Sequence, residues 1–264
     1  MMEHGTIASM FGALLAVIGV ATAHAGAQSY EGYAYSENGD TLLYRESHWL
    51  YTANGVGEQL ILYRCADGAP FARKRVDSSS GPATPNFEMV DARNGYREGA
   101  HTRDGRREAF IQADAQAPQR KVTVSFRENT VIDAGIDAFV RANWDSLSDV
   151  GITPLPFLVP SQLGYVDFSA RKLRDGRLGE RDVRWFRFSL ASWYSFAAPH
   201  LEFGYDLHTR DLREYRGPSN IHIDGSSRTN VRIDFPPAER RMDVAQEEIE
   251  QAAGMPLTGR CLSQ

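Results

Sequence analysis

"HLEFGYDLH", residues 200–208, alternates along an extended chain: Leu201, Phe203, Tyr205 and Leu207 fall on one side, Glu202 and Asp206 on the other. A period of two marks a strand with one face in a core and the other in water. The same beat recurs in "KVTVSF" (121–126), through Val122, Val124 and Phe126, and in "NIHID" (220–224) and "NVRIDF" (230–235). Between such runs stand Asx-Gly pairs at Asn38-Gly39, Asn54-Gly55, Asp67-Gly68, Asn94-Gly95, Asp104-Gly105, Asp175-Gly176 and Asp224-Gly225. Tight hairpins need positive φ, which Gly and Asx tolerate best, so each pair is a candidate turn. The reading is a mainly β chain: a curved antiparallel sheet of about a dozen strands forming a half-barrel or barrel.

Two segments interrupt the meander. "DSSSGPATP" (77–85) is a polar loop. In "VIDAGIDAFVRANWDSL" (131–147), Ile132, Ile136, Phe139, Val140, Trp144 and Leu147 recur at helical spacing, predicting one central amphipathic helix whose apolar stripe docks on the sheet. Asp133 suits its first turn, and Asp137–Arg141 is an i, i+4 surface pair. "ITPLPFLVPSQ" (152–162) follows, where Pro154, Pro156 and Pro160 argue against a central strand although Leu155, Phe157, Leu158 and Val159 favour burial. Such apolar connections either seal a core or border a cavity, as does "LASWYSFAAPH" (190–200). If a cavity lies beneath the helix, Ile136, Phe139, Val140, Trp144 and Phe157 are the candidate ligand contacts. A short C-terminal helix is expected over 243–253, with Asp243 as N-cap, Gln246 three residues on and Gly254 as the stop.

The first residues suggest export. "MFGALLAVIGVAT" (10–22) has the length of a signal-peptide apolar core, and "AHAGA" after it offers cleavage before Gly26 or Gln28, although no Lys or Arg precedes the run. The expected organisation is a leader over 1–25 and one β-rich domain over 28–264, carrying the helix and apolar-loop insertion at 131–163, with no transmembrane helix in the mature part. Cys65 and Cys261 are an even pair; in an oxidising compartment a bridge is favoured over two separate thiols.

Chemistry is sparsely signalled. His48, His101, His200, His208 and His222 show no metal-ligand spacing, and no nucleophile elbow, phosphate loop or dinucleotide motif occurs, so no catalytic residue, metal or cofactor is assigned. His222 and Asp224 share a strand face but read as a solvent-facing pair. The formal net charge of −5 gives no nucleic-acid signal. The most basic stretch, "ARKLRDGRLGERDVRWFRF" (170–188), reads as a charged hairpin guarding a sheet edge.

"YDLHTRDLREYRGPSNIHI" (205–223) resembles the D-x-x-T-x-x-L-x-x-Y-x-G cadence of exported β proteins of Gram-negative bacteria without assigned function. The layout of the chain is similar to the Lol-type lipoprotein carriers, in which helices and loops cover the hollow side of a curved sheet. The resemblance implies a periplasmic site for a lipid, acyl chain or other hydrophobic ligand. The alternatives are an envelope interaction protein using a sheet edge or the Arg-rich hairpin, and a hydrolase with an unrecognised site.

Overall fold

The computed structural model describes residues 26–149, 153–191, 200–222 and 229–261. The expected leader, the Asp224-Gly225 turn and most of 190–200 lie outside these residues. One sheet of fifteen strands organises the chain, in the order β8-β7-β6-β5-β4-β3-β2-β1-β15-β14-β13-β12-β11-β10-β9. The first wing comprises β1 (Gln28–Ser36), β2 (Leu42–Ala53), β3 (Val56–Arg64), β4 (Pro70–Asp77), β5 (Asn86–Asp91), β6 (Tyr96–Arg103), β7 (Arg106–Gln112) and β8 (Arg120–Val124). The second comprises β9 (Val131–Ile132), β10 (Thr153–Val159), β11 (Gly164–Leu178), β12 (Arg181–Leu190), β13 (Leu201–Asp206), β14 (Leu212–Pro218) and β15 (Asn230–Asp234). Every paired neighbour follows its partner in sequence except β15, which pairs antiparallel with β1.

This order is cyclic but for one gap. The sheet's two edges, β8 and β9, are joined only by residues 125–130, a tether that bridges at most roughly 25 Å between Val124 and Val131. The edges meet through side chains rather than a ladder: Val76, Phe87, Ala100, Ala109 and Val124 pack with Ile132 and Leu158. The polar loop at 77–85 helps close this seam, since Ile132 N–H donates to the Ala83 carbonyl at 3.1 Å. Gly135 belongs to the same contact: a Cβ there would stand 2.1 Å from the Ala83 oxygen.

The turn chemistry largely follows the Asx-Gly pairs. Asn54 and Gly55 (φ 52° and 77°) connect β2 to β3, and Asp104 and Gly105 (51° and 71°) connect β6 to β7, the two-residue turns with positive φ that match strand twist. Asp175-Gly176 is an exception. It lies inside β11, and the chain reverses at Gly179 (φ 57°) instead. Asp175 is held there by Arg184 at 2.8 Å and Lys172 at 2.7 Å, and the Arg184 hydrogen bonds lead in lowering its carboxyl pKa to about 2.

Three other expectations need correction. The helix over 131–147 is broken: β9 occupies Val131–Ile132, a single 3-10 turn follows, and α1 (Ile136–Ala142) and α2 (Trp144–Asp149) are separated at Asn143. The proline-rich segment is a strand, β10. Prolines two residues apart withhold donors from one side of a strand only, and β9 pairs with β10 only at Phe157 and Leu158, beyond both Pro154 and Pro156. The last helix, α3 (Gln246–Gly254), starts after Ala245 without a side-chain cap, while Asp243 takes φ 55° ahead of it.

On the outer face α3 covers β2 and β3, burying Ile249 and Ala252 on Trp49, Leu60 and Leu62. Trp49 Nε1 donates to Glu248 at 2.9 Å, and Arg73 and Arg75 donate to carbonyls at the helix's C-terminal end, where cations are favoured. Beyond it Cys261 is disulfide-bonded to Cys65 at the end of β3, across 196 residues. Reduction, or Cys261→Ser, is expected to cost about 2–4 kcal/mol in denaturant unfolding. The denatured, unreduced protein should show no reactive thiol; two thiols would refute the bond.

Candidate ligand cavity

The folded sheet borders a half-open cavity of about 440 Å³, within the range of small-molecule sites. Its two walls differ in chemistry because they come from different wings. The second wing supplies Val166 and Phe168 from β11, Leu201, Phe203 and Tyr205 from β13, and Leu212 and Tyr215 from β14. The first supplies Tyr44, Glu46 and His48 from β2, Gln59, Ile61 and Tyr63 from β3, Lys74 from β4 and Glu98 from β6.

Strand register builds the polar wall. His48 stands opposite Ile61, Ile61 opposite Lys74, Lys74 opposite Met89, and Met89 opposite Glu98, giving one row across five strands. His48, Lys74 and Glu98 are all buried, and each has a partner. His48 Nε2 lies 2.8 Å from Glu46, its Nδ1 lies 3.1 Å from the Gln59 amide, and its ring stacks on Tyr30 at 4.4 Å. Tyr96 donates to Glu98 at 2.9 Å. Burial pulls the Lys74 ammonium down, but Asp133 at 2.6 Å, with Tyr63 beside it, more than reverses this and leaves its pKa raised. Asp133 also accepts from the Asn220 amide at 2.9 Å. Asp133, expected as a surface charge of a first helical turn, instead links β4, the entry to α1 and the segment after β14.

The five candidate contacts divide. Ile136 and Phe157 line the cavity. Phe139, Val140 and Trp144 are buried in the packing of α1 and α2 against the sheet, with Phe139 on Phe188 (6.2 Å between ring centroids) and Trp144 on Phe186 (5.1 Å) and Tyr205 (6.0 Å). Asp137 does pair with Arg141, at 2.9 Å, and also lines the cavity. Sequence reasoning missed the polar row because its members lie on separate strands; alternation at 44, 46 and 48 was the only available signal.

Other candidates serve structure. Glu202 and Asp206, expected on a wet face, are buried under arginines: Arg187 binds Glu202, and Arg213 and Arg181 lie 3.4 and 3.7 Å from Asp206. His222 packs edge-on against Tyr96. In the basic hairpin Arg174 covers the Trp185 ring and Arg184 also reaches Ser148 of α2. No helix among the described residues is long and apolar enough to cross a membrane.

No family model matches the chain, and no curated protein does. Among solved structures, a β-barrel-like protein of domain of unknown function DUF1849 from Brucella abortus superposes with a TM-score of 0.50 at 8% identity, over 83% of this chain and 98% of that one. A DUF1329 family protein from Desulfovibrio piger covers 88% of this chain and 92% of its own at 12% identity and a TM-score of 0.32. The first match shows a barrel-like fold and supports that architectural part of the Lol-type resemblance, not the Lol family as such.

Removing the Asp133 carboxylate should strand the Lys74 charge. Asp133→Ala is expected to destabilise by about 2–3 kcal/mol, below the fully buried figure because the Asp133 side chain is 34% exposed. The folded-state pKa of Lys74 is raised, so this contribution is complete below the unfolded value of about 10.4 and fades as pH climbs toward the folded one. Urea unfolding of both proteins should therefore show a constant gap from about pH 7 to 9 that narrows above about 10.4.

Proposed function

We propose that this protein binds a lipid-like or other hydrophobic ligand inside its barrel and acts as an exported, periplasmic binding or carrier protein. The observation that carries the reading is the cavity of about 440 Å³, walled on one side by Phe168, Leu201 and Phe203 and bordered on the other by the polar row of His48, Lys74 and Glu98. An apolar space of this size is costly to fill with water, and an apolar chain gains roughly 25 cal/mol per Å² of surface it buries there. Ile136 and Phe157 touch the ligand; Phe139, Val140 and Trp144 hold the wall behind them. Export draws on the leader-like first residues and fits the Cys65–Cys261 bond, which persists in oxidising compartments.

Native mass spectrometry of gently purified protein should reveal one bound hydrophobic molecule, or else stoichiometric uptake of N-phenyl-1-naphthylamine. Val166→Trp, which fills the cavity from β11, should weaken dye uptake about tenfold or more while the protein stays folded. A wild-type protein that takes up neither, or a filled variant that binds equally well, would count against this function.

A further inference from the structure

We infer that the outer face of the first wing carries a site for a phosphate-like oxyanion, held between Arg45 and Arg64. The site is separate from the cavity. Along β2, Tyr44, Glu46 and His48 line the interior, so Arg45 and Ser47 point to the opposite face. There an open pocket of about 490 Å³ lies over β1, β2 and β3, bordered by Gly68 and by residues 238, 239 and 241.

Strand register places two cations side by side in this pocket. Arg45 is the cross-strand partner of Arg64, with Tyr33 on its other side. Like charges directly opposite each other destabilise a strand pair, so the arrangement calls for an anion. The pocket's own carboxylates do not supply it to Arg45. Glu31 accepts from Ser47 at 2.9 Å, Glu239 accepts from the Tyr33 hydroxyl at 3.0 Å, and Arg241 is paired with Glu248. Arg64 is partly engaged: Nε donates to Ser47 Oγ and Nη1 to the Gly68 carbonyl, both at 3.0 Å, and Nη2 lies 3.7 Å from the Met255 sulfur. Arg45 is half-buried, yet among the described residues it has no hydrogen-bond or ion-pair partner, and its Nε is buried and unsatisfied. Gly68, at φ 95°, brings the loop after β3 onto this guanidinium: a Cβ there would stand 2.9 Å from Arg45 Nη2. An oxyanion resolves the arrangement. It offers two oxygens to the Arg45 fork, takes the N–H groups that Ser47 and Gly68 leave over on Arg64, and screens the two guanidiniums from each other. A tetrahedral phosphate has oxygens enough for both arginines, whereas a cation would be repelled and an apolar group would leave the fork unpaired.

The test is calorimetric titration of the full chain with sodium phosphate at near-neutral pH, against sodium chloride of matched ionic strength. Phosphate should bind with a Kd on the order of 1 mM, the scale of two charge-assisted hydrogen bonds, and chloride should give no comparable signal. Arg45→Gln gives up no hydrogen bond to a described residue, so it should stay folded, with a urea midpoint at or above that of the wild type, and lose about tenfold or more in phosphate affinity. Arg45→Lys keeps the charge without the fork and should lose about threefold or more; it decides alone should Arg45→Gln fail to fold. Glu31→Gln keeps an acceptor for Ser47 while removing a nearby negative charge, and should tighten phosphate several-fold. Co-sedimentation with phosphatidylglycerol vesicles separates the sources: Arg45-dependent capture assigns the oxyanion to a lipid head group, and phosphate binding without capture assigns it to a free phosphate or phosphate ester. Uptake of N-phenyl-1-naphthylamine should be the same in Arg45→Gln and wild type, so this site and the cavity's function fail separately. The inference is overturned if the wild type binds neither phosphate nor vesicles, or if the Arg45 variants bind as well as the wild type.

Discussion

The ion pair between Lys74 and Asp133 is the contact on which the interior depends. It reaches from a strand of the first wing to the residue that leads out of β9, and Asn220 adds a third arm from the second wing. Without such a tie a cyclic meander with one open seam has apolar contacts, the Ile132–Ala83 backbone hydrogen bond and a short tether holding its edges together. Buried pairs of this kind are not strong stabilisers in themselves, because both charges lose water. Their value lies in geometry. Lys74 holds Asp133 at 2.6 Å, which anchors the entry to α1 against β4.

That placement answers what the helical segment is for. Its stripe is a plug as far as Phe139, Val140 and Trp144 are concerned, since those side chains meet the sheet directly. At its first turn it becomes a wall, because Ile136 and Asp137 turn toward the cavity. The break at Asn143 divides the stripe into α1 and α2, and both bury their apolar residues in the same core. Thus one segment both fills the second wing's core and borders the space beside it.

The division of labour between the wings gives the cavity its character. Apolar residues of the second wing face polar residues of the first, and those polar groups form hydrogen-bonded sets around His48, Lys74 and Glu98. The outer surface follows another logic. There α3 and the disulfide tie the tail to β2 and β3, and arginines shield Glu202 and Asp206, so the strands are protected on both faces without altering the interior.

Local signals in the chain were sufficient for much of this. The alternation in "HLEFGYDLH" and "KVTVSF" and the Asx-Gly turns determined an antiparallel meander, and the spacing from Ile132 to Leu147 determined an apolar stripe that had to be buried. Both are properties of a few neighbouring residues, set by the periods of strand and helix. Where that local rule met a competing contact it failed: Asp175-Gly176 stayed in a strand under the hold of Arg184, and the prolines of β10 were tolerated because β9 does not pair beside them. The polar row could not be read at all. His48, Lys74 and Glu98 lie dozens of residues apart and become neighbours only through the register of four successive strand pairs, and Asp133 becomes an interior charge only once the seam closes. Sequence determined which apolar residues would share a strand or helix face; only the folded sheet decided what they border, because a cavity belongs to distant strands brought together and to no single one of them.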